Sequence, residues 1–107
     1  MSRIVSVIRG DGIGPEIVDC VVRVLDQLQC GLAFEFVEAG VGALERHGSL
    51  LPPATLESIG QHRIALKGPL ATPIGEGYTS LNVELRRRFD LYANVRPAHS
   101  FPNTRSR

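Results

Sequence analysis

The sequence has little cysteine. Cys20 and Cys30 are the two cysteines; on or near one predicted helix, they would point in different directions and lie too far apart for a disulfide. We therefore predict two unpaired thiols, buried or half-buried, in a reducing compartment. The sequence has no CxxC motif and no cysteine–histidine pair that would indicate a zinc site.

The sequence also lacks a long hydrophobic run and an excess of charge of one sign. No stretch approaches the roughly 18 apolar residues of a membrane span. Gly10, Asp11 and Gly12 interrupt the first apolar run, which argues against a signal peptide. The formal net charge is +1, which gives no general case for binding nucleic acid or an anionic membrane surface. We predict a cytoplasmic protein, or one from an organelle whose targeting segment has been removed.

What is present is a chain of 107 residues, 43% of them hydrophobic, enough for at most one domain with a modest core. Short β-branched and apolar runs predict strands, and segments with apolar residues at helical spacing lie between them. The predicted strands are 3–9, 32–38, 62–67 and 90–95, and the predicted helices begin near Pro15, Ala43, Pro53 and Ser80. This alternation predicts an α/β fold with a mainly parallel sheet and flanking helices.

The first glycine-rich loop, GDGIGPE at 10–16, leaves several interpretations open. Gly10 and Gly12 fit the first two positions of a dinucleotide-binding fingerprint, but Pro15 occupies the place of its third glycine. Glu38, at the end of the second predicted strand, would then mimic the acid that binds a ribose. The alternatives are a tight strand-to-helix turn and a phosphate- or substrate-facing loop of another α/β fold.

The second glycine-rich loop leads into a helix with the pattern expected of an anion site. The free N–H groups and positive dipole end of a helix N-terminus attract anions, and Ser80 adds a hydroxyl there. Asn82 and Arg86 are four residues apart and share a helical face, and Arg86 can bind a carboxylate through two parallel hydrogen bonds. Arg96, after the next predicted strand, would point into the same space. The alternative is a helix cap at Ser80 followed by a solvated basic face.

At these residues the sequence resembles the isocitrate and isopropylmalate dehydrogenases, the metal-dependent β-decarboxylating dehydrogenases. The matching stretches are GDGIGPEIV at 10–18 and KGPLATPIGEGYTSLNVELRRRFDLYANVRP at 67–97. The run Ser80-Leu81-Asn82-Val83 is similar to the isocitrate branch. The resemblance covers essentially the whole chain, and it implies the N-terminal part of the isopropylmalate dehydrogenase-like fold. Residues 1–107 would then be the N-terminal portion of the large domain.

The resemblance implies a role for five residues in binding the substrate. Ser80 and Asn82 would bind the carboxylate that distinguishes isocitrate, and Arg86 and Arg96 would bind its other carboxylates. Thr72 would lie beside both the substrate and the nicotinamide ring. The substrate would be isocitrate, oxidised and decarboxylated to 2-oxoglutarate.

The resemblance also implies a nicotinamide cofactor, NAD or NADP. Thr72, Ala71 and Ile13 would line its site, and alanine at position 71 is similar to the NAD-type members. Lys67 resembles the family's lysine at the end of this strand, without an assigned role. Glu76 departs from the commoner all-glycine loop.

The resemblance implies a reaction in two steps, in which hydride passes to the nicotinamide and carbon dioxide then leaves with the help of Mg²⁺ or Mn²⁺ and acid–base groups. In the family these groups lie beyond the segment that this chain matches. We therefore predict no catalytic residue and no metal ligand within the chain. The four aspartates so excluded are Asp11, Asp19, Asp26 and Asp90, and neither Tyr78 nor Tyr92 matches the catalytic tyrosine.

Other interpretations stay open. The enzyme could instead be an isopropylmalate, homoisocitrate or tartrate dehydrogenase of the same family, or the chain could be a non-catalytic carboxylate-binding module. The resemblance implies a homo-oligomer in the full-length protein, and it implies that the chain alone is inactive.

Overall fold

The computed structural model describes residues 2–75, 77 and 79–104. Glu76 and Tyr78, both named above, lie outside the described residues. Three strands and four helices form in the described part. In chain order they are β1 Arg3–Ile8, α1 Gly14–Gln27, β2 Leu32–Val37, α2 Val41–His47, α3 Pro53–His62, β3 Ala65–Lys67 and α4 Leu81–Arg88.

The three strands form one parallel sheet in the order β2-β1-β3. Arg3 pairs with Leu32 and Ser6 pairs with Ala65, so β1 lies in the centre. The predicted α/β fold with a parallel sheet and flanking helices is confirmed. Because the strands are parallel, their carboxyl ends meet at one edge of the sheet, where ligand sites of open α/β folds lie.

Two apolar clusters lie on the two faces of the sheet, because side chains alternate along β1. Val5 and Val7 face Val18 of α1. Ile8 faces the other side and packs with Ala39, Leu51 and Leu81. Leu81 is 2% exposed, so it anchors the start of α4 against the sheet. This contact holds α4 next to the carboxyl edge.

The first helix begins as predicted, with Pro15 in its first turn, where a missing N–H costs nothing. It carries apolar side chains on two sides. Val18 and Val22 pack against the sheet, whereas Val21 and Leu28 are exposed. None of the helices formed by the described residues has the length and apolar character needed to cross a membrane.

The predicted fourth strand, Asp90–Val95, is wrong: this segment is irregular in the described structure. Asp90 has φ +50°, and the N–H of Leu91 bonds to the carbonyl of Arg86 at 3.0 Å. This left-handed residue with a bond back to the last turn is a common helix ending. The backbone groups at 90 and 91 therefore complete α4 and do not begin a strand.

The predicted burial of the thiols is also wrong. Cys20 and Cys30 are both free and exposed. Cys20 lies on α1 on the side away from the sheet, and the thiol of Cys30 contacts the carbonyl of Leu25 at 3.4 Å.

Candidate functional site

Both glycine-rich loops lie at the carboxyl edge of the sheet and pack backbone against backbone. A Cβ atom on Gly68 would lie well under 3.0 Å from the carbonyl oxygen of Arg9, and one on Gly10 would meet the carbonyl of Pro69 equally closely. The N–H of Asp11 bonds to the Pro69 carbonyl at 2.7 Å. Only glycine allows this approach, which favours a tight turn over the dinucleotide fingerprint for the first loop.

Glu38, the acid that the dinucleotide interpretation would assign to a ribose, contacts basic side chains of α2. Its carboxylate forms an ion pair with Arg46 at 2.8 Å and contacts the His47 ring. The His47 hydrogen bond lowers the pKa of Glu38, and the charge of Arg46 lowers it further. Glu38 therefore stabilises the α2 segment in this structure.

Asp11 lies at the centre of the carboxyl edge, a position that sequence reasoning missed. Its side chain accepts hydrogen bonds from the backbone N–H groups of Val41, Gly42 and Ala71, at 3.1, 3.1 and 2.8 Å. These partners lie 30, 31 and 60 residues along the chain. The one available signal was an aspartate between two glycines directly after a buried strand.

The start of α4 presents a free hydroxyl. Ser80 occupies the N-cap position, as predicted, but its side chain makes no capping hydrogen bond, and the residue is exposed. The first N–H groups of a helix lack internal partners, and a Ser80 hydroxyl that does not cap the helix is available to a ligand.

A cavity of about 210 Å³ lies between α4 and β3. Three of its lining side chains are polar: Lys67, Asn82 and Arg86. The rest of its lining is apolar: Ile8, Ile59, Ala65, Leu85, Phe89 and Leu91. No acidic side chain is among the described residues that line it. Two cations therefore share a largely apolar cavity without a carboxylate to balance them.

The pKa of Lys67 reflects this environment. Burial lowers the pKa of Lys67, and the positive charge of Arg86 lowers it further. The Lys67 ammonium donates one hydrogen bond to the Gly68 carbonyl at 2.8 Å. An anion in the cavity would offset both effects, because it favours the protonated ammonium.

Asn82 has a buried acceptor without a partner among the described residues, its Oδ1 atom. An unpaired buried polar atom costs about 1–3 kcal/mol. A half-turn of the amide would present its NH₂ group at the same point, which suits a carboxylate oxygen. In either orientation the side chain offers a hydrogen bond to a ligand.

The structure brings together Asn82 and Arg86 of the predicted substrate residues, and it adds Lys67. Ser80 and Arg96 are exposed and do not line this cavity, and Arg96 follows an irregular segment where a strand was predicted.

Of the residues predicted to line the cofactor site, Thr72 is half-buried, whereas Ala71 and Ile13 are exposed. The bond between Ala71 and Asp11 ties the loop that carries Ala71 and Thr72 to the loop that precedes Ile13.

The described side chains that could bind a metal ion do not cluster. Among residues 2–75, 77 and 79–104, no group of three histidine, cysteine or carboxylate side chains is arranged to hold a metal ion. The Asp11 carboxylate is occupied by three N–H donors. The residues described here therefore do not form a site for the divalent cation that the resemblance implies.

Comparison with known proteins identifies the family. Residues 4–107 match the family model for isocitrate/isopropylmalate dehydrogenase. The chain is 49% identical over 102 residues to the isocitrate dehydrogenase [NADP] of Thermus thermophilus, covering 94% of this chain and 21% of the relative. It is 43% identical over 98 residues to the chloroplastic 3-isopropylmalate dehydrogenase of Solanum tuberosum, covering 92% of this chain and 28% of the relative.

A solved structure agrees with the fold. The crystal structure of isocitrate dehydrogenase from Methylococcus capsulatus superposes with a TM-score of 0.80 at 47% identity, covering 86% of this chain and 27% of that protein. The chain thus spans about a quarter of the length of the relatives it matches. The predicted resemblance is confirmed over residues 4–107: this chain belongs to the isocitrate/isopropylmalate dehydrogenase family.

Proposed function

We propose that the chain is the N-terminal portion of the large domain of an isocitrate dehydrogenase, and that it supplies the residues that bind isocitrate. The observation that carries this proposal is the cavity beside α4. Lys67 and Arg86 line it together with Asn82, and no acidic residue described in the structure balances their charges. A ligand with several carboxylates suits such a cavity better than a neutral one.

Each polar group has a distinct part in this proposal. Arg86 binds one carboxylate through two parallel hydrogen bonds, and Lys67 contributes a point charge. Asn82 and the free hydroxyl of Ser80 bind the carboxylate that isocitrate has and isopropylmalate lacks. Arg96 binds a further carboxylate, which requires the 91–100 segment to adopt another path in the complete protein.

The nicotinamide cofactor would lie against Ile13, Ala71 and Thr72. The fit is reasonable, because these residues belong to two loops joined at Asp11, and Ile13 is 68% exposed and so available for contact. When bound, the cofactor accepts the hydride from the hydroxyl-bearing carbon of the substrate. Ala71 favours NAD, whereas the Thermus thermophilus relative is named for NADP, so both cofactors belong in the assay.

The divalent cation and the acid–base groups come from outside these residues. The proposal also includes a cytoplasmic location and a homo-oligomer for the complete protein, and it includes inactivity of the 107-residue chain alone. The contribution of this chain is to bind and orient the substrate and to hold the nicotinamide-side loop.

The test extends the chain to full family length and measures turnover with Mg²⁺ and either cofactor. Isocitrate should be the preferred substrate. Arg86→Gln should raise the KM for isocitrate by about tenfold to a hundredfold, because a hydrogen bond to a charged group is worth about 1.5–3 kcal/mol. Arg88→Gln is the matched control, since Arg88 is exposed two residues away and does not line the cavity. Equal effects of the two substitutions would contradict the assignment.

Isopropylmalate is the second candidate, and the apolar lining favours it. Ile59, Leu85 and Phe89 line the same cavity and would accept an isopropyl group, and the Solanum tuberosum relative is a 3-isopropylmalate dehydrogenase. A higher kcat/KM for isopropylmalate in the extended protein would select this candidate.

A non-catalytic carboxylate-binding module needs a separate test. Calorimetric titration of the 107-residue chain with isocitrate measures binding without turnover. Binding by the chain, together with no turnover by the extended protein, would favour the module.

A further inference from the structure

Three backbone N–H groups converge on the side chain of Asp11. Oδ2 accepts from Val41 at 3.1 Å and from Ala71 at 2.8 Å, and Oδ1 accepts from Gly42 at 3.1 Å. The donors come from the first residues of α2 and from the loop after β3, and Asp11 itself lies in the loop after β1. One side chain thus joins three segments at the carboxyl edge of the sheet.

The surroundings of this side chain fit a carboxylate. A carboxylate has two oxygens that only accept hydrogen bonds, whereas an asparagine amide has one acceptor and one donor group. In asparagine, one of the two positions would place NH₂ against an N–H donor. Gly40 leaves room for the carboxylate, because a Cβ atom there would lie well under 3.0 Å from Oδ2.

Backbone contacts reinforce the same junction. The N–H of Asp11 bonds to the Pro69 carbonyl at 2.7 Å, and the N–H of Gly68 bonds to the Ile8 carbonyl at 2.8 Å. These bonds hold the loop after β3 as far as Pro69. Beyond Pro69, the bond from Ala71 to Asp11 reaches the segment leading to Thr72.

We propose that Asp11 is a positioning residue that fixes Ala71, and with it Thr72, against the first loop and the start of α2. The hydrogen bonds themselves stand on the geometry alone. The consequence for catalysis rests on the proposed function, in which Ala71 and Thr72 lie beside the nicotinamide. Asp11 touches neither substrate nor cofactor in this proposal, and it acts by holding the backbone that does.

Amide hydrogen exchange of the 107-residue chain tests the hydrogen bonds without any ligand. Asp11→Asn should increase exchange by about tenfold or more, because a charged acceptor is lost. The amides of Val41 and Ala71 should respond where NH₂ replaces Oδ2, and the Gly42 amide should respond where it replaces Oδ1. Asp19→Asn is the matched control, since it removes the same charge from an exposed ion pair with Arg9.

Two results would overturn the proposal: free exchange of all three amides in the unsubstituted chain, or unchanged rates after Asp11→Asn. If Asp11→Asn also exposed the amides of Val5 and Val7, the whole sheet would have opened. An amide-to-ester replacement at Ala71 then tests the bond to Asp11 directly, because it removes the Ala71 N–H and keeps every side chain. It should increase exchange across 70–75 and leave Val41 and Gly42 protected; no change at 70–75 would overturn the proposal.

Kinetics of the protein extended to family length test the positioning role. Asp11→Asn should lower kcat by about tenfold while the KM for isocitrate changes less than about twofold, because Arg86 and Asn82 stay in place. Thr55→Val is the matched control. It removes a part-buried hydrogen bond at 2.5 Å from the Thr55 hydroxyl to the Glu38 carbonyl, so it should lower thermal stability and leave kcat unchanged.

The exchange and kinetic experiments distinguish a failure of this proposal from a failure of the proposed function. If Asp11→Asn had the kcat of the unsubstituted enzyme, the positioning role would be wrong even with an active protein. If the extended protein oxidised neither isocitrate nor isopropylmalate, the proposed function would be wrong, and the exchange rates would still judge the hydrogen bonds.

Discussion

Lys67 is the single lysine of the chain, which makes it a direct reporter of the cavity. Reductive methylation with ¹³C-formaldehyde labels this side chain and the N-terminal amine, and it keeps the positive charge. Burial and then the Arg86 charge lower the pKa of Lys67. We predict that isocitrate raises this pKa, because an anion binds the protonated form more tightly than the neutral form.

The size of this coupling follows from the exposure of the lysine. Lys67 is exposed to solvent, so its attraction to a carboxylate is screened to about 0.2–1 kcal/mol, the range of exposed ion pairs. Isocitrate should therefore bind the protonated form up to about fivefold more tightly. Arg86, with bidentate hydrogen bonds worth about 1.5–3 kcal/mol, should contribute more to the affinity than Lys67 does.

The sign of the pH dependence is fixed by the direction of the shift. In the free chain the folded-state pKa of Lys67 lies below its unfolded value, so folding stability rises as pH increases between these two values. Bound isocitrate should reduce this rise, because it raises the folded-state pKa. Without ligand, Arg86→Gln should also raise the pKa of Lys67, since the second cause of the shift is removed.

The assay follows the ¹³C-methyl chemical shift of Lys67 as pH is raised, with and without isocitrate, in the unsubstituted chain and in Arg86→Gln and Arg88→Gln. Acetate at equal ionic strength controls for screening. A titration curve that isocitrate leaves unchanged, or that Arg86→Gln and Arg88→Gln shift equally, would refute the assignment of an anion to this cavity.

Two further predictions concern the stability of the chain. Gly68→Ala should lower the free energy of unfolding by about 3 kcal/mol or more, because the new Cβ would meet the backbone carbonyl of Arg9. Gly12→Ala should lower it by only about 1–2 kcal/mol, because Gly12 has φ +58° and a Cβ atom there would have nothing within 4 Å. Thermal unfolding measures both, and equal losses would contradict the close-packing argument. Hydrogen bonding from Ser58 is the largest cause that lowers the pKa of Glu35 in the folded chain. This hydrogen bond therefore stabilises the fold at pH values above the ordinary pKa of glutamate, and the stabilisation is lost as the pH falls through the lowered pKa. Ser58→Ala should therefore reduce stability more at pH about 5.5 than at pH about 3 in denaturant unfolding, and a pH-independent loss would contradict this account.

The local signals in the sequence predicted most of the sheet and its helices. The β-branched run at 3–9 became a strand because its alternate side chains pack on both faces, and Pro15 marked the first helix. The same signals failed at 90–95. There the pattern resembles a strand, but Asp90 adopts a left-handed conformation that completes α4. A pattern of alternating apolar residues does not show whether a neighbouring strand is present.

The candidate site could be predicted only in part. The pairing of Asn82 with Arg86 on one face follows from helical spacing, and both line the cavity. Lys67 joined them because β3 lies beside α4, which no local pattern reveals. The contacts of Asp11 span 30 to 60 residues, and such distances are set by tertiary packing alone.

The two glycine-rich motifs form one structural unit at the carboxyl edge. Gly10 and Gly68 allow two backbones to pack in close contact, and two backbone hydrogen bonds join them, so we expect a displacement of one loop to displace the other. Lys67 directly precedes Gly68 and lines the cavity, while Ala71 follows and bonds to Asp11. A displacement of the first loop must therefore reach both the cation in the cavity and the segment at Ala71. The glycines of the first loop therefore have a structural role that does not involve phosphate binding. They fix the position of the substrate side of the proposed site relative to its nicotinamide side.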